Sequence, residues 1–440
     1  MNSIPISTEI IQQLKDKTGI TSLGTASIRE IVHLVNMIEY KTGMKFIRLE
    51  MGAPGLPAPS IGTEAEISAL RNGVAAIYPD IAGINPLKEE ISRFIKLFLN
   101  TDINPEGCIP TVGSMMGAMV SFLVANRNDR TKEGTLFIDP GFPVQKQQVK
   151  MLGHDYYSFD IYNYRGEKLR EKLESYLKSG KISSLLYSNP NNPTWICLTE
   201  EELSIIGELS RKHDVIVIED LAYFGMDFRR DYLNPGKPPF QPTVAHYTDY
   251  YVLLISSSKI FSYAGQRIGI MAISDQLFNR SYPDLLRYYS SDKYGHSAIF
   301  GALYGLSAGV THSVQYGLTA LLKAVNDGDY KYRDDVKEYG EKARIMKKLF
   351  TSNGFEIVYD KDLDEPIADG FYFTVSYPGT TGTGLLEGLL YYGISSISLD
   401  ISGSDRQGLR VCVSHVPRKQ LNDLEFRLKR FSEDHPVKRN

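Results

Sequence analysis

Tyr251-Val252-Leu253-Leu254-Ile255-Ser256-Ser257-Ser258-Lys259 is the stretch on which the fold turns. Its apolar part, Tyr251 to Ile255, is far shorter than the roughly 20 residues a membrane helix needs and has the length of a buried strand. On either side of it, Thr135–Ile138, Leu185–Ser188, Val215–Glu219 and Ile268–Ile273 are equally compact, apolar and bounded by Gly, Pro, Asn or Asp, as strands covered on both faces should be. Helical patterns lie between them. In one, Thr199 and Glu202 make a capping-box start, and Leu203, Ile206 and Leu209 then share one helical face. Strand and helix alternating in this way predict an α/β domain with a mostly parallel central sheet flanked by helices. After about Asp329 the texture changes to a charged helix, Lys331 to Thr351, then strand candidates Phe355–Tyr359, Phe371–Ser376 and Leu409–Val413, and a polar helix from Arg418. We therefore expect a large domain over 50–329 and a smaller α+β domain formed by both chain ends, 1–49 and 330–440.

Composition narrows the function classes. The 440 residues carry 49 Lys+Arg against 52 Asp+Glu, a net charge of −3, so no basic surface stands ready to displace counterions from nucleic acid. With 42% hydrophobic and 11% aromatic residues the chain can bury a large core, which excludes disorder. Cys108, Cys197 and Cys412 are too few and too scattered for a disulfide framework or a zinc site, and the eight histidines show no metal spacing. No metal is expected, and a reducing cytoplasm fits best. The opening MNSIPISTEIIQQLKDKTG lacks a basic segment followed by an apolar one, so neither a secretory signal nor a membrane partner is expected.

The chemistry gathers at strand ends. Lys259 follows the strand Val252–Ser256 at its carboxyl end, where open α/β sheets bind ligands and a partly desolvated amine becomes a nucleophile. Asn189-Pro190-Asn191-Asn192-Pro193-Thr194 follows another strand, Glu219-Asp220-Leu221-Ala222-Tyr223 a third, and Arg267 comes eight residues after Lys259. An amine, a carboxylate, a phenol, an amide and a guanidinium in one crevice suit a pyridoxal cofactor. The carboxylate keeps a pyridine nitrogen protonated, amide and phenol bond a phenolic oxygen, and arginine and serines hold a phosphate.

From about Ser27 to Arg410 the sequence resembles the class I/II aminotransferases, the fold-type-I pyridoxal-phosphate enzymes. The resemblance rests on Ser256-Ser257-Ser258-Lys259 with Arg267, on the NPxNPT element, and on the order of the motifs. It implies that Lys259 is the Schiff-base lysine and proton shuttle, with Ser256 and Arg267 on the phosphate. Asn192 and Tyr223 would share the phenolic oxygen, and Asp220 would pair with the pyridinium nitrogen. Thr111-Val112-Gly113-Ser114-Met115-Met116-Gly117-Ala118 matches the phosphate cup, making Gly113, Ser114 and Met115 its candidates, and Phe142 takes the place of the ring stacked on the pyridine. Tyr78 resembles the tyrosine that reaches the neighbouring subunit's phosphate, which implies a homodimer. Gly52 and Arg410, with Asn192, match the grip on a substrate α-carboxylate; a planar guanidinium meets a carboxylate bidentately.

Two positions depart from that pattern. Trp195 stands where the family has glycine after NPxNPT, which implies either an altered loop with a ring over the site or a tryptophan packed on the domain surface. Leu221 replaces an acid that often follows the aspartate. Arg280 or Arg287 is a candidate reader of a second substrate carboxylate, and the tyrosines of Leu286–Ser297 are candidates for an aromatic pocket or for dimer packing. The expected activity is transfer of an amino group from an amino acid to a 2-keto acid. A C–S/β-lyase or cyclising synthase of the same fold is the alternative, and a non-catalytic ligand-sensing regulator a remote one.

Overall fold

The computed structural model describes residues 5–132 and 134–437; residues 1–4 and 438–440 of the expected chain-end domain lie outside the described residues. The chain divides into two compact units. One comprises Leu56–Asn191 and Cys197–Val336, the other Met1–Gly55, Asn192–Ile196 and Lys337–Asn440.

The larger unit is built on seven strands: β1 (Cys108–Thr111), β2 (Gly134–Asp139), β3 (Tyr156–Asp160), β4 (Ile182–Ser188), β5 (Ile216–Leu221), β6 (Tyr251–Ser256) and β7 (Gly269–Ile273). Their order across the sheet is β1-β7-β6-β5-β4-β2-β3. Strands β2 to β6 run parallel, whereas β7 is antiparallel to both β6 and β1. The sequence placed Ile268–Ile273 among strands of a mostly parallel sheet without singling out its direction. The connection goes with the reversal: between Ser256 and Gly269 the chain forms a one-turn helix, Ser257–Ile260, and a short 3-10 turn, without the long helix that usually carries a crossover to a parallel neighbour.

The sheet's strands are apolar on both faces because both are covered. Leu186, Ile218, Val252 and Leu254 are buried with Val120, Phe122 and Val124 of the helix Gly113–Ala125. Each such side chain contributes roughly 1.5–3 kcal/mol of transfer free energy. The helix Glu200–His213 starts as its sequence requires, with Thr199 accepting from the Glu202 N–H and Glu202 accepting from the Thr199 N–H.

The smaller unit holds a four-stranded antiparallel sheet in the order Ile397–Ser398, Leu409–Cys412, Tyr372–Ser376, Glu356–Ile357. A parallel two-residue ladder joins Ile47–Arg48 to Ile394–Ser395. Ser27 and Glu30 cap the helix Ile28–Thr42, which buries Ile31, Leu34, Val35 and Ile38 at the i, i+3, i+4, i+7 spacing of one face. The charged helix runs Arg333–Ser352, and the last helix is Leu421–Asp434. Among the described residues no helix is long and apolar enough to cross a membrane.

Candidate functional site

The carboxyl ends of β1, β2, β4, β5 and β6 share one edge of the large sheet with the amino end of the reversed β7. That edge collects Gly113, Phe142, Asp220, Tyr223, Ser256, Lys259 and Arg267. At the exit of β1, Gly113 opens its helix with φ +69. A Cβ there would lie 2.7 Å from Nη2 of Arg267, so the absence of a side chain is what lets the guanidinium rest against the first helical turn. Arg267 is itself left-handed, φ +51, and its Nη1 donates to the Ala264 carbonyl at 2.7 Å. The first N–H groups of a helix have no acceptor within it. Those of Gly113, Ser114 and Met115, together with Arg267, therefore make a cradle of positive potential that suits a phosphate.

Across the edge, β6 ends at Ser256, whose Oγ accepts from the Ser258 N–H at 3.3 Å and so starts the single turn carrying the half-buried Lys259. Asp220, near the end of β5, is 7% exposed. Burial pushes its carboxyl up to about 6, against the lowering effect of hydrogen bonds from Gln145 and the Ala222 N–H and of the charge on Lys259. Gln145 Nε2 donates to Asp220 at 2.8 Å, and the Ala222 N–H at 3.1 Å. A carboxylate whose hydrogen-bond partners are neutral amides in a buried place is a strong seat for a protonated ring nitrogen. Tyr223, two residues beyond β5, is also buried.

Phe142 caps the helix Pro143–Met151 at the exit of β2 and is half-buried. Gln145 and Gln148, one turn apart on that helix, were not singled out by the sequence reading. Gln148 Nε2 donates to the Met115 carbonyl at 2.9 Å, so one helix carries contacts to both the phosphate cradle and Asp220. Their signal was local: two polar residues three apart, directly after Asp139-Pro140-Gly141-Phe142-Pro143. Tyr78 belongs to no strand end; it stands 94% exposed between the turn Val74–Ala76 and the helix Asn85–Leu99.

Arg280 is occupied elsewhere. Both its terminal nitrogens donate to Asp214, at 2.6 and 2.8 Å, and its guanidinium lies over the rings of Tyr250 and Tyr282. Arg287 lies over Tyr288, which also carries Arg127 on its ring. A hollow lined by Thr101, His246, Asp249, Ser274 and Asp275 lies by the amino end of β6, at the opposite edge of the sheet from Lys259.

In the smaller unit the centre is Arg410, 4% exposed on the strand Leu409–Cys412. Its Nη2 donates to the Glu50 carbonyl at 2.6 Å and its Nη1 to Asn192 Oδ1 at 3.4 Å, while the buried Nε has no hydrogen-bond partner among the described residues. Glu50, missed in the sequence, is fully buried and held by Arg48 and by Ser395, each at 2.6 Å. The ring of Tyr372 underlies the guanidinium at 4.7 Å, and a Cβ on Gly52 would come within 2.3 Å of the Tyr372 hydroxyl. A buried guanidinium with an unsatisfied N–H calls for an anion.

Trp195 is wholly buried, with φ +67. That backbone region disfavours an L-residue by roughly 1–2 kcal/mol, which burial of an indole offsets. Its ring meets Tyr372 edge-on at 6.1 Å. Of the two expectations for this position, packing on the domain surface is excluded by the burial.

Residues 45–424 match the family model for aminotransferase class I and II. A probable aspartate aminotransferase of Methanocaldococcus jannaschii is 25% identical over 347 residues, 74% of this chain and 85% of the relative. An LL-diaminopimelate aminotransferase of Natranaerobius thermophilus is 25% identical over 362 residues, 80% and 85% of the two chains. The crystal structure of an aspartate aminotransferase from Thermotoga maritima superposes with a TM-score of 0.73 at 19% identity, covering 98% of each chain, which shows the shared fold. With the family model spanning most of its length, the chain belongs to the class I and II aminotransferases, whose members work with pyridoxal phosphate.

Proposed function

We propose that the protein is a pyridoxal-phosphate-dependent aminotransferase that moves an amino group from an amino acid to a 2-keto acid. The observation that carries this reading is the sheet edge at which Lys259, Asp220 and the Gly113–Arg267 cradle come together. Residues and cofactor fit: the cradle matches the phosphate, and buried Asp220 matches the ring nitrogen. Gly113, Ser114 and Met115 would hold the phosphate through backbone N–H groups, with Ser256 and Arg267 beside them. Phe142 would cover the ring, and Asn192 and Tyr223 would bond its phenolic oxygen.

Pyridoxal phosphate, when bound, supplies the electron sink that stabilises negative charge at the amino acid's Cα. The chain's residues do the rest. Nζ of Lys259 would hold the cofactor, and as a free amine it would take the proton from the amino acid's Cα and return it. Asp220 would keep the ring nitrogen protonated; the burial that raises its carboxyl also strengthens a bond to a cation. Arg410 and the backbone at Gly52 would hold the α-carboxylate, which would use the guanidinium's unsatisfied Nε.

We also propose that the protein works as a homodimer in the cytoplasm. Tyr78, with Ile61, Ile67, Leu70 and Ile77, forms an exposed apolar series in the larger unit that a second copy would cover, Tyr78 reaching the partner's site. The names of the relatives make aspartate and LL-diaminopimelate the first amino donors to try.

The test is a donor screen on the protein loaded with pyridoxal phosphate, followed through the cofactor's absorbance. An aminotransferase loses the aldehyde form once per site with donor alone and regains it with a keto acid. Steady release of pyruvate and ammonia with no keto acid present would instead make it a lyase.

A further inference from the structure

Trp195 carries a large side chain at a left-handed backbone position, three residues after Asn192. The indole lies against the bare backbone of Gly370: a Cβ there would be 1.9 Å from Cε2 of the ring. Two residues further on, Tyr372 receives the indole edge-on, with ring centroids 6.1 Å apart and planes at 65°. Tyr372 then touches both halves of the carboxylate seat. Its ring face underlies the Arg410 guanidinium at 4.7 Å, and its hydroxyl occupies the space beside Gly52 that a Cβ would need. The guanidinium is thus fixed from below by a ring, at one side by the Glu50 carbonyl at 2.6 Å and at another by Asn192 at 3.4 Å, with Nε left over.

We infer that Trp195 is a positioning residue for the substrate carboxylate, acting through Tyr372 on the plane of Arg410 and on the hydroxyl at Gly52. The inference rests on the aminotransferase reading. In physical terms, the indole closes the volume into which Tyr372 would otherwise tilt, and a tilted ring would take the guanidinium's flat support away. The affinity of a carboxylate for a planar fork depends on that orientation, since two parallel N–H···O bonds form only in one plane.

The test uses the holoenzyme and three variants, Trp195→Phe, Tyr372→Leu and the double substitution. Two constants are read: KM for the amino donor and the equilibrium Kd for propionate, a carboxylate that carries no amine and does not react. Because a residue acting only through another adds nothing once that other is gone, we expect Trp195→Phe to raise both constants about fivefold with kcat within about twofold, Tyr372→Leu about tenfold, and the double variant no more than Tyr372→Leu alone. Single-turnover reaction with butylamine, which has no carboxylate, stays at the wild-type rate in Trp195→Phe. An unchanged propionate Kd in Trp195→Phe, multiplied effects in the double variant, or an equal loss with butylamine would each overturn the inference. If Trp195→Phe does not fold, Trp195→Tyr carries the same measurements. Failure of the aminotransferase reading shows separately, as a wild-type holoenzyme that transfers no amino group, while the propionate constants decide the role of Trp195 without turnover.

Discussion

In the larger unit Gly113, Phe142, Tyr223, Lys259 and Arg267 all lie within three residues of a strand end, whereas the surroundings of Arg410 in the smaller unit come from Glu50, Asn192, Tyr372 and Ser395. Arg410 meets Asn192 across 218 positions of sequence and Glu50 across 360. One region is therefore assembled by local chain geometry at a shared sheet edge and the other by long-range closure. A site of the first kind keeps its chemistry as long as each strand keeps its register. A site of the second kind depends on every piece that borders it, and its supporting residues Glu50, Asn192, Tyr372 and Ser395 are all buried.

Substitutions can break that comparison at either pole, and the largest effect belongs to Lys259. Lys259→Ala removes both the anchoring amine and the proton carrier, and turnover should fall by about 10⁴-fold or more while the phosphate cradle still retains cofactor. Arg410→Ala should lower kcat/KM for the amino donor by about 100-fold, chiefly through KM, since a charge-assisted bidentate pair is lost with no change at the sheet edge. An unchanged absorbance of bound cofactor in that variant would confirm that the two regions act separately; a lost spectrum would merge them.

A third prediction concerns the pH dependence of the larger unit. Glu219, fully buried beside Asp220 in β5, accepts from Thr243 Oγ1 and from the Val244 N–H, yet burial raises its carboxyl to about 7. The folded state therefore holds a proton that the unfolded chain releases near pH 4.5. Stability conferred by that proton is present at low pH and is lost as pH rises from about 4.5 to 7. Glu219→Gln should flatten this part of the stability curve and leave the protein on the order of 2 kcal/mol more stable than wild type at pH 8, as read by urea unfolding. A curve with the wild-type slope would show that the proton resides elsewhere.

The smallest effect is expected at Gly113. Gly113→Ala must accommodate a Cβ 2.7 Å from Arg267 Nη2 at φ +69. We expect about a tenfold weaker affinity for pyridoxal phosphate with the KM for amino donor nearly constant, measured by equilibrium dialysis. The opposite split, a raised KM with unaltered cofactor binding, would invert the division between the two regions.

The same contrast explains what was legible in the sequence. The strands β2, β4, β5, β6 and β7 show as apolar runs because they are buried on both faces, and the chemistry could be placed at their ends. Two strands gave no such signal. Cys108-Ile109-Pro110-Thr111 contains a proline, tolerated because β1 is an edge strand, and Tyr156-Tyr157-Ser158-Phe159-Asp160, on the other edge, is half-exposed and mixed in polarity. Phe355–Tyr359 reads as a full strand but pairs only over Glu356–Ile357. In the smaller unit Arg410 and Gly52 were within reach of the motif reading, whereas Glu50 and Tyr372 were not, because nothing in their neighbours announces contacts hundreds of positions away. Arg280 is a related case: a surface-patterned arginine gave no sign of its partner Asp214.

The reversal of β7 has a consequence for how this chain can change over generations of mutation. Because β7 runs against β6, the chain makes a U-turn at the sheet edge, and Lys259 and Arg267 both sit on that one bend. Their separation is two single helical turns and the loop between them, with no long helix to absorb an added or missing residue. Insertions and deletions scattered at random over the gene should therefore survive in the loops that flank the long helices and be purged between positions 259 and 267, a short interval that behaves as a ruler in an otherwise forgiving scaffold.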